Sequence, residues 1–344
     1  MKIGIIGLTG SGKTTIFDLL KGKRGEEERE KAGKIRIATV IVQDPRLDYI
    51  KEILRPKKIT YPRIEYLLPS RFHIQKENET ISWAEVRACD GFLHVLRNFK
   101  IPGLQEPDPE RDFWELEQEM ILNDLMVAEK RIERLKLDQR KGKKIDPKEM
   151  ELLEKIKGLL EDSIPLRSEP LLAHDPDLRP YSFLSSKPQF IVINNEDDDT
   201  QIPKWKRTPD NMGVMAIRAK IEMEIASLLP DEREEFMKLY NINESLVDRL
   251  IRESYRMLDV IHFYTVVGDE SKAWEIQKGT PCIEAAGAVH TDMKKGFIKA
   301  EVISFEDLKR YGSLKEARNA GVFRLEGKDY VVQDGDIINF RFKV

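Results

Sequence analysis

The sequence predicts an α/β chain: a mostly parallel sheet, interrupted by an inserted antiparallel helical hairpin and followed by a small strand-rich C-terminal domain. Short β-branched apolar runs alternate with helical periodicities, the pattern of a parallel sheet covered by helices. From residue 112 to about 137, Ile121, Leu125, Ala128, Ile132 and Leu135 recur at a 4-3-4-3 spacing, a coiled-coil seam that needs a second helix to bury it. From residue 261 the chain turns strand-rich again.

The elements follow in order. Residues 2–6 read as a short buried strand, residues 7–12 as a loop and residues 13–20 as the start of an apolar-periodic helix. Residues 23–34 are charged and read as a loop, 35–42 as the next strand, and Asp44-Pro45 as the cap of a helix through Leu54. Residues 66–68 and 91–96 are further core strands. The seam helix finds its partner at 147–163, where Leu152, Ile156, Leu159 and Leu160 recur after a polar turn, giving a hairpin whose longer arm is roughly 40 Å. Trp114, Met120 and Met126 read as hairpin packing. Strands resume at 190–193 and 214–217, so the hairpin is an insertion; helices follow at 222–229 and 246–258. The C-terminal segment, with strands at 261–267 and toward 330–344 and one helix at 308–320, has a β-grasp-like order. The domain expectation is therefore 1–111 and 171–260 for the two parts of the α/β domain, 112–170 for the hairpin and 261–344 for the last domain.

One motif carries chemistry. Gly7-Leu8-Thr9-Gly10-Ser11-Gly12-Lys13-Thr14 satisfies G-x-x-x-x-G-K-[ST] between a strand and a helix. Glycines let the backbone curl so that amide N–H groups face phosphates, Lys13 supplies a point charge, the helix N-terminus adds its dipole, and Thr14 offers a hydroxyl to Mg²⁺. The α/β domain is thus expected to be a P-loop NTPase fold binding a purine nucleoside triphosphate, with Thr15 next to the loop. A second candidate is Asn194-Asn195-Glu196-Asp197, where an N-K-x-D base-reading motif lies in such folds. It matches at Asn194 and Asp197; the missing Lys leaves adenine against guanine open, because a carboxylate reads the donors of guanine but meets a different edge on adenine.

Composition bounds the rest. The chain has 344 residues, a formal net charge of -3, 35% charged and 40% hydrophobic residues, and no long apolar run. These values argue against a membrane span and against a general basic field for nucleic acid. Two cysteines, Cys89 and Cys282, make no disulfide framework, and the cytoplasm is the expected compartment. The five histidines, His73, His94, His174, His262 and His290, have no metal-ligand spacing. Arg140, Lys141, Lys143, Lys144 and Lys148 cluster at the hairpin turn, where they could touch RNA phosphates.

With these residues in view, the chain resembles the YchF family of Obg-like ATPases. Residues 106–112 (EPDPERD), 221–225 (IEMEI), 290–298 (HTDMKKGFI) and 325–336 (LEGKDYVVQDGD) carry the likeness. The resemblance implies a P-loop domain with a coiled-coil insertion and a C-terminal TGS domain, an ATP-preferring hydrolase with a role near the ribosome, and an N-x-x-E base motif that falls on Asn194 and Asp197. It also implies that Ala219 and Lys220 match a Ser/Cys-Ala-Lys segment behind the base, with Arg218 departing from it. Two departures concern hydrolysis. The family's D-x-A-G-L segment stands here as Tyr66-Leu67-Leu68-Pro69-Ser70-Arg71, and the charged residues 24–34 replace the Thr-containing first switch. Loss of both impairs hydrolysis more than binding, with Asp44 or Glu65 as stand-in carboxylates. The expected ligands are Mg²⁺ with ATP or GTP, and the expected macromolecular partner is the ribosome or RNA, through the hairpin tip and the TGS-like domain. A GTP-binding protein of the same class and a non-hydrolysing, nucleotide-gated adaptor are the alternatives.

Overall fold

The computed structural model describes residues 1–22, 25–27, 35–70, 83–173, 175–209 and 212–343. Most of the charged stretch at 24–34, together with Arg71, His73 and His174, lies outside the described residues. The strands are β1 (Lys2–Ile6), β2 (Gly25–Glu27), β3 (Arg36–Ile41), β4 (Lys58–Thr60), β5 (Arg63–Leu68), β6 (Gly91–Asn98), β7 (Gln189–Asn195), β8 (Gly213–Ile217), β9 (Val260–Val267), β10 (Glu270–Gln277), β11 (Phe297–Ser304), β12 (Arg324–Glu326) and β13 (Asp336–Phe342). They form two sheets and the chain folds as two compact units.

The larger unit holds residues 2–39 and 65–257. Its seven-stranded sheet has the order β2-β3-β5-β1-β6-β7-β8. β1 runs parallel to β5 and β6, β6 to β7 and β7 to β8. β1, β6 and β7 are almost wholly buried, each around an apolar run, as strands covered on both faces must be, with polar residues in β6 and β7 mainly toward the strand ends. The expected fold class holds, and Gly25–Glu27, read in sequence as part of a loop, has strand backbone at the sheet edge.

The hairpin is the insertion that the periodicity predicts. Its arms are Pro109–Arg140 and Pro147–Glu161, each started by an Asp N-cap followed by Pro. The longer arm has 32 residues, about 48 Å at 1.5 Å per residue, somewhat longer than expected. Ile121, Ala128, Ile132 and Leu135 bury against Leu153, Ile156 and Leu160, with Leu125 packed alongside. Met126 departs from the expectation: it is 61% exposed, because it lies off the seam that the 4-3 spacing turns inward. At the root, Leu116 and Met120 join the sheet core with Ile6, Leu67 and Phe92. Charge is buried there too. Glu117 pairs with Arg167 and accepts from Gln189 Nε2 at 3.1 Å, and Gln189 Oε1 meets His94 Nδ1 at 3.1 Å. Asp124 accepts the backbone N–H groups of Leu184 and Ser185 at 2.9 and 2.7 Å, which locks the returning chain to the first arm.

The smaller unit holds residues 258–344 together with Met1 and 40–64. Its sheet has the order β12-β11-β13-β9-β10-β4. Residues 40–64, placed by the sequence reading with the first part of the α/β domain, share their core with the C-terminal strands instead. Leu47 and Ile50 of the helix Pro45–Leu54 bury against Tyr264, Ala273, Ile303, Phe305, Leu308 and Ile337, and β4 pairs in parallel with β10. The expected single helix at 308–320 is two, Phe305–Tyr311 and Leu314–Asn319. Gly312 at φ 70° stops the first and the Ser313 side chain caps the second by accepting from the Glu316 N–H.

Candidate functional site

β1 feeds the loop 7–12 directly from the centre of the larger sheet, its register placing Ile6 beside His94 of β6. Gly7 (φ 146°) and Gly12 (φ 94°) occupy positive-φ backbone, and both are pressed by neighbours: a Cβ on Gly7 would strike the Val95 carbonyl oxygen, and one on Gly12 the Asn194 side-chain amide. Gly12 is also the residue that enters the helix Lys13–Lys21, without a side-chain cap. The curl and the open helix start together present backbone N–H groups to an anion. Lys13 folds back over the loop, its Nζ donating to the carbonyl oxygens of Gly7 and Leu8 at 2.7 Å each. Burial pushes its ammonium down to about 7. Ser11 Oγ is buried and meets no hydrogen-bond partner among the described residues. Thr9 and Thr14 are exposed, Thr15 and Gly10 half-buried, and Leu8 packs on the cluster around Ile6 and Leu67.

The second motif meets the first through Asn194. Its Nδ2 donates to the Ser11 carbonyl oxygen at 3.2 Å, and its Oδ1 accepts from the Ala219 N–H at 3.1 Å. One buried amide thus ties the loop to the start of the helix Ala219–Ser227. Half-buried Asp197 and exposed Lys220 form an ion pair at 3.0 Å. Asn195, by contrast, is buried and engaged within its own neighbourhood. It donates to the carbonyl oxygens of Asp199 and Gln201 at 3.2 and 2.7 Å and accepts from Asn98 Nδ2 at 2.9 Å. Asn98 and its neighbour Arg97, at the end of β6, were not singled out from sequence; the signal available was a polar pair closing the apolar run GFLHVL.

β5, the neighbour of β1, ends apolar: Tyr66, Leu67 and Leu68 are all buried. The two candidate stand-in carboxylates have partners of their own. Glu65 sits opposite Lys2, at the start of β1 and away from the loop, with Lys2 Nζ 3.4 Å from it. Asp44 belongs to the smaller unit, where its side chain caps the helix Pro45–Leu54 and accepts from His262 Nδ1 at 3.1 Å and the Tyr264 hydroxyl at 2.5 Å. Among the described residues no group of three or more His, Cys, Asp or Glu is placed to hold a metal ion.

Comparison with known proteins decides the family. The chain is 33% identical over 361 residues to the ribosome-binding ATPase YchF of Bacillus subtilis (strain 168), covering 99% of each chain. The chain belongs to the YchF family of Obg-like ATPases. It is also 32% identical to Obg-like ATPase 1 of Oryza sativa subsp. japonica, covering all of this chain and 92% of that one. The family model YchF-GTPase_C, described as a protein of unknown function, matches residues 260–343. Among solved structures, the YchF GTPase of Schizosaccharomyces pombe superposes with a TM-score of 0.78 at 24% identity, covering 99% of this chain and 97% of that chain, which supports the fold.

In this YchF-family chain the hairpin tip carries Arg140, Lys141, Lys143, Lys144 and Lys148, all exposed. Lys143 reaches Asp138 at 2.8 Å and Lys148 reaches Asp177 at 2.5 Å, so two of the five cations have a carboxylate beside them. No helix among the described residues is long and apolar enough to cross a membrane.

Proposed function

We propose that this protein binds a purine nucleoside triphosphate, ATP or GTP, with Mg²⁺ at the loop 7–14, and associates with the ribosome. The observation that carries the reading is the glycine-curled loop held by Asn194 and overlaid by Lys13. Its carbonyl contacts with Gly7 and Leu8 leave the Lys13 ammonium where an anion in the loop would meet it. The fit extends to the buried, unpartnered Ser11 Oγ and to the exposed Thr14 hydroxyl in the first helical turn. Thr14 would hold Mg²⁺ through one hydroxyl while the phosphates supply most other ligands, the usual economy for this ion. Bound there, the ion neutralises charge developing on the phosphates. Asn194, Asn195, Asp197, Ala219 and Lys220 form the base side. Asp197 is the residue that would accept from a base, in competition with Lys220.

Hydrolysis is proposed to be slow. The apolar end of β5 offers no carboxylate or glycine to the γ-phosphate side of the loop, and Glu65 and Asp44 are committed elsewhere. Binding without efficient turnover suits a nucleotide-gated interaction protein better than a fast ATPase. The test is a titration of nucleotide-free protein with ATP and GTP, with and without Mg²⁺, followed by a phosphate-release assay on the same sample. Mg²⁺-strengthened binding with slow release is expected. Absence of binding refutes the site, and fast Mg²⁺-dependent release refutes the slow-hydrolysis reading.

A further inference from the structure

The phosphate loop is supported on a second side, by a segment that no motif describes. β6 ends at Asn98, and Arg97 beside it is buried although it lies in an apolar strand. Its guanidinium spans the next turn of chain, donating from Nη1 to the Phe99 carbonyl oxygen at 3.0 Å and from Nη2 to the Gln105 carbonyl oxygen at 2.7 Å. Between these points the chain closes on itself, with the Leu104 N–H donating to the Ile101 carbonyl oxygen at 3.1 Å and Gly103 at φ 84°. The turn lies against the loop: a methyl on Gly10 would meet Ile101 Cδ1 at 3.3 Å and Leu104 Cδ1 at 3.4 Å. In the sheet register Arg97 stands opposite Asn194, which grips the loop at Ser11. Two neighbouring residues on adjacent strands therefore hold successive loop residues, Asn194 directly and Arg97 through the turn.

We propose that residues 99–105, fixed by Arg97, form an apolar brace that keeps the phosphate loop curled at Gly10, and that Arg97 is a positioning residue for a triphosphate it does not touch. The proposal rests on the nucleotide-binding reading above. Its physical basis is pre-organisation. Gly10, at φ 78°, has no side chain of its own to restrict its backbone, and a loop that must be ordered on binding loses affinity to that ordering. Ile101 and Leu104 supply the restriction from outside. A fork with two donors suits the two carbonyl oxygens, whereas an ammonium on a flexible stem cannot span them equally well.

The experiment is calorimetric titration of the full chain with Mg-ATP and with inorganic tripolyphosphate, which has no base or ribose. The variants are Arg97→Lys, the double variant Ile101→Ala/Leu104→Ala, and Lys13→Ala as the check on the site itself. Leu104 is 47% exposed, so the double variant keeps the test open if Arg97→Lys fails to fold. The brace predicts that the double variant and a folded Arg97→Lys weaken both ligands by the same factor, about tenfold, and speed hydrogen exchange at the Gly10 and Ser11 amides. Wild-type affinity in the double variant, with binding lost in Lys13→Ala, overturns the brace and leaves the nucleotide site standing. Weakening confined to ATP also overturns it, since that places the turn against base or ribose. Unchanged binding in Lys13→Ala removes the nucleotide site, and the brace with it.

Discussion

Lys13 carries the charge of the proposed phosphate site. Burial holds its ammonium near 7 in the free protein, and a triphosphate beside it favours the charged form. At pH 8 the free side chain is mostly neutral, so binding takes up a proton. The observed binding enthalpy should then rise with the ionisation enthalpy of the buffer, by close to one proton at pH 8 and by much less at pH 6; a slope of zero at pH 8 counts against the arrangement. Asn194 is the second such residue. Asn194→Ala leaves the buried Ala219 N–H without its acceptor and frees Ser11, which should cost about 1–3 kcal/mol in urea unfolding and weaken triphosphate binding. Both residues were legible in the sequence, because a phosphate loop is a local pattern and Asn194 follows a recognisable strand. Arg97 was not. Its partners are main-chain carbonyl oxygens brought close by a turn, and no residue type in a sequence marks those.

At the level of elements, the seam of the hairpin was readable because a 4-3 spacing has one physical meaning, and Ile121, Ala128, Ile132 and Leu135 are buried as it requires. What the spacing could not show is the charge under the hairpin root. Glu117 and Arg167 are separated by 50 residues and pair only once the second arm has returned. Burial raises the Glu117 carboxyl and lowers the Arg167 guanidinium, each opposed by the partner's charge. Removing one partner strands the other. Arg167→Met should cost about 3–5 kcal/mol in urea unfolding, while the double variant Glu117→Leu/Arg167→Met recovers most of that loss; equal loss in both would show that the pair is not the unit of stability. The exposed cations at the tip of the same hairpin are the proposed contact for ribosomal RNA. Neutralising Lys141, Lys143 and Lys144 should lower co-sedimentation with ribosomes most strongly at low salt, and Lys143 alone should matter least, because Asp138 already accompanies it. Sedimentation unchanged in the triple variant would leave the tip as a solvated turn.

At the scale of the whole molecule, the C-terminal unit is not the contiguous tail that its sequence suggests. A helix at Pro45–Leu54 shows only its own periodicity, so sequence alone does not say that Leu47 and Ile50 are covered by strands more than two hundred residues away. The signal lies in one place, Asp44, whose position before Pro45 marks it as a helix cap. It is the polar centre of this unit. Burial alone would raise its carboxyl, but hydrogen bonds from His262, Tyr264 and Arg46 outweigh that and hold it well below the usual carboxylate range. A carboxyl whose folded pKa is depressed contributes stability that is present above its unfolded value near 4 and is lost as pH falls toward the folded one. Hydrogen exchange in residues 258–343 should therefore lose protection as pH drops below about 4, after correction for intrinsic rates. Asp44→Asn should lower protection at pH 7 by about 1–3 kcal/mol and flatten the acid loss. A chain cut at residue 260 makes the complementary case: Leu47 and Ile50 lose their cover, and the fragment should bind a hydrophobic dye and self-associate on size exclusion. A fragment that stays monomeric and dye-silent would mean that residues 40–64 find other cover without the C-terminal strands, and the unit would then have to be divided where the sequence first suggested.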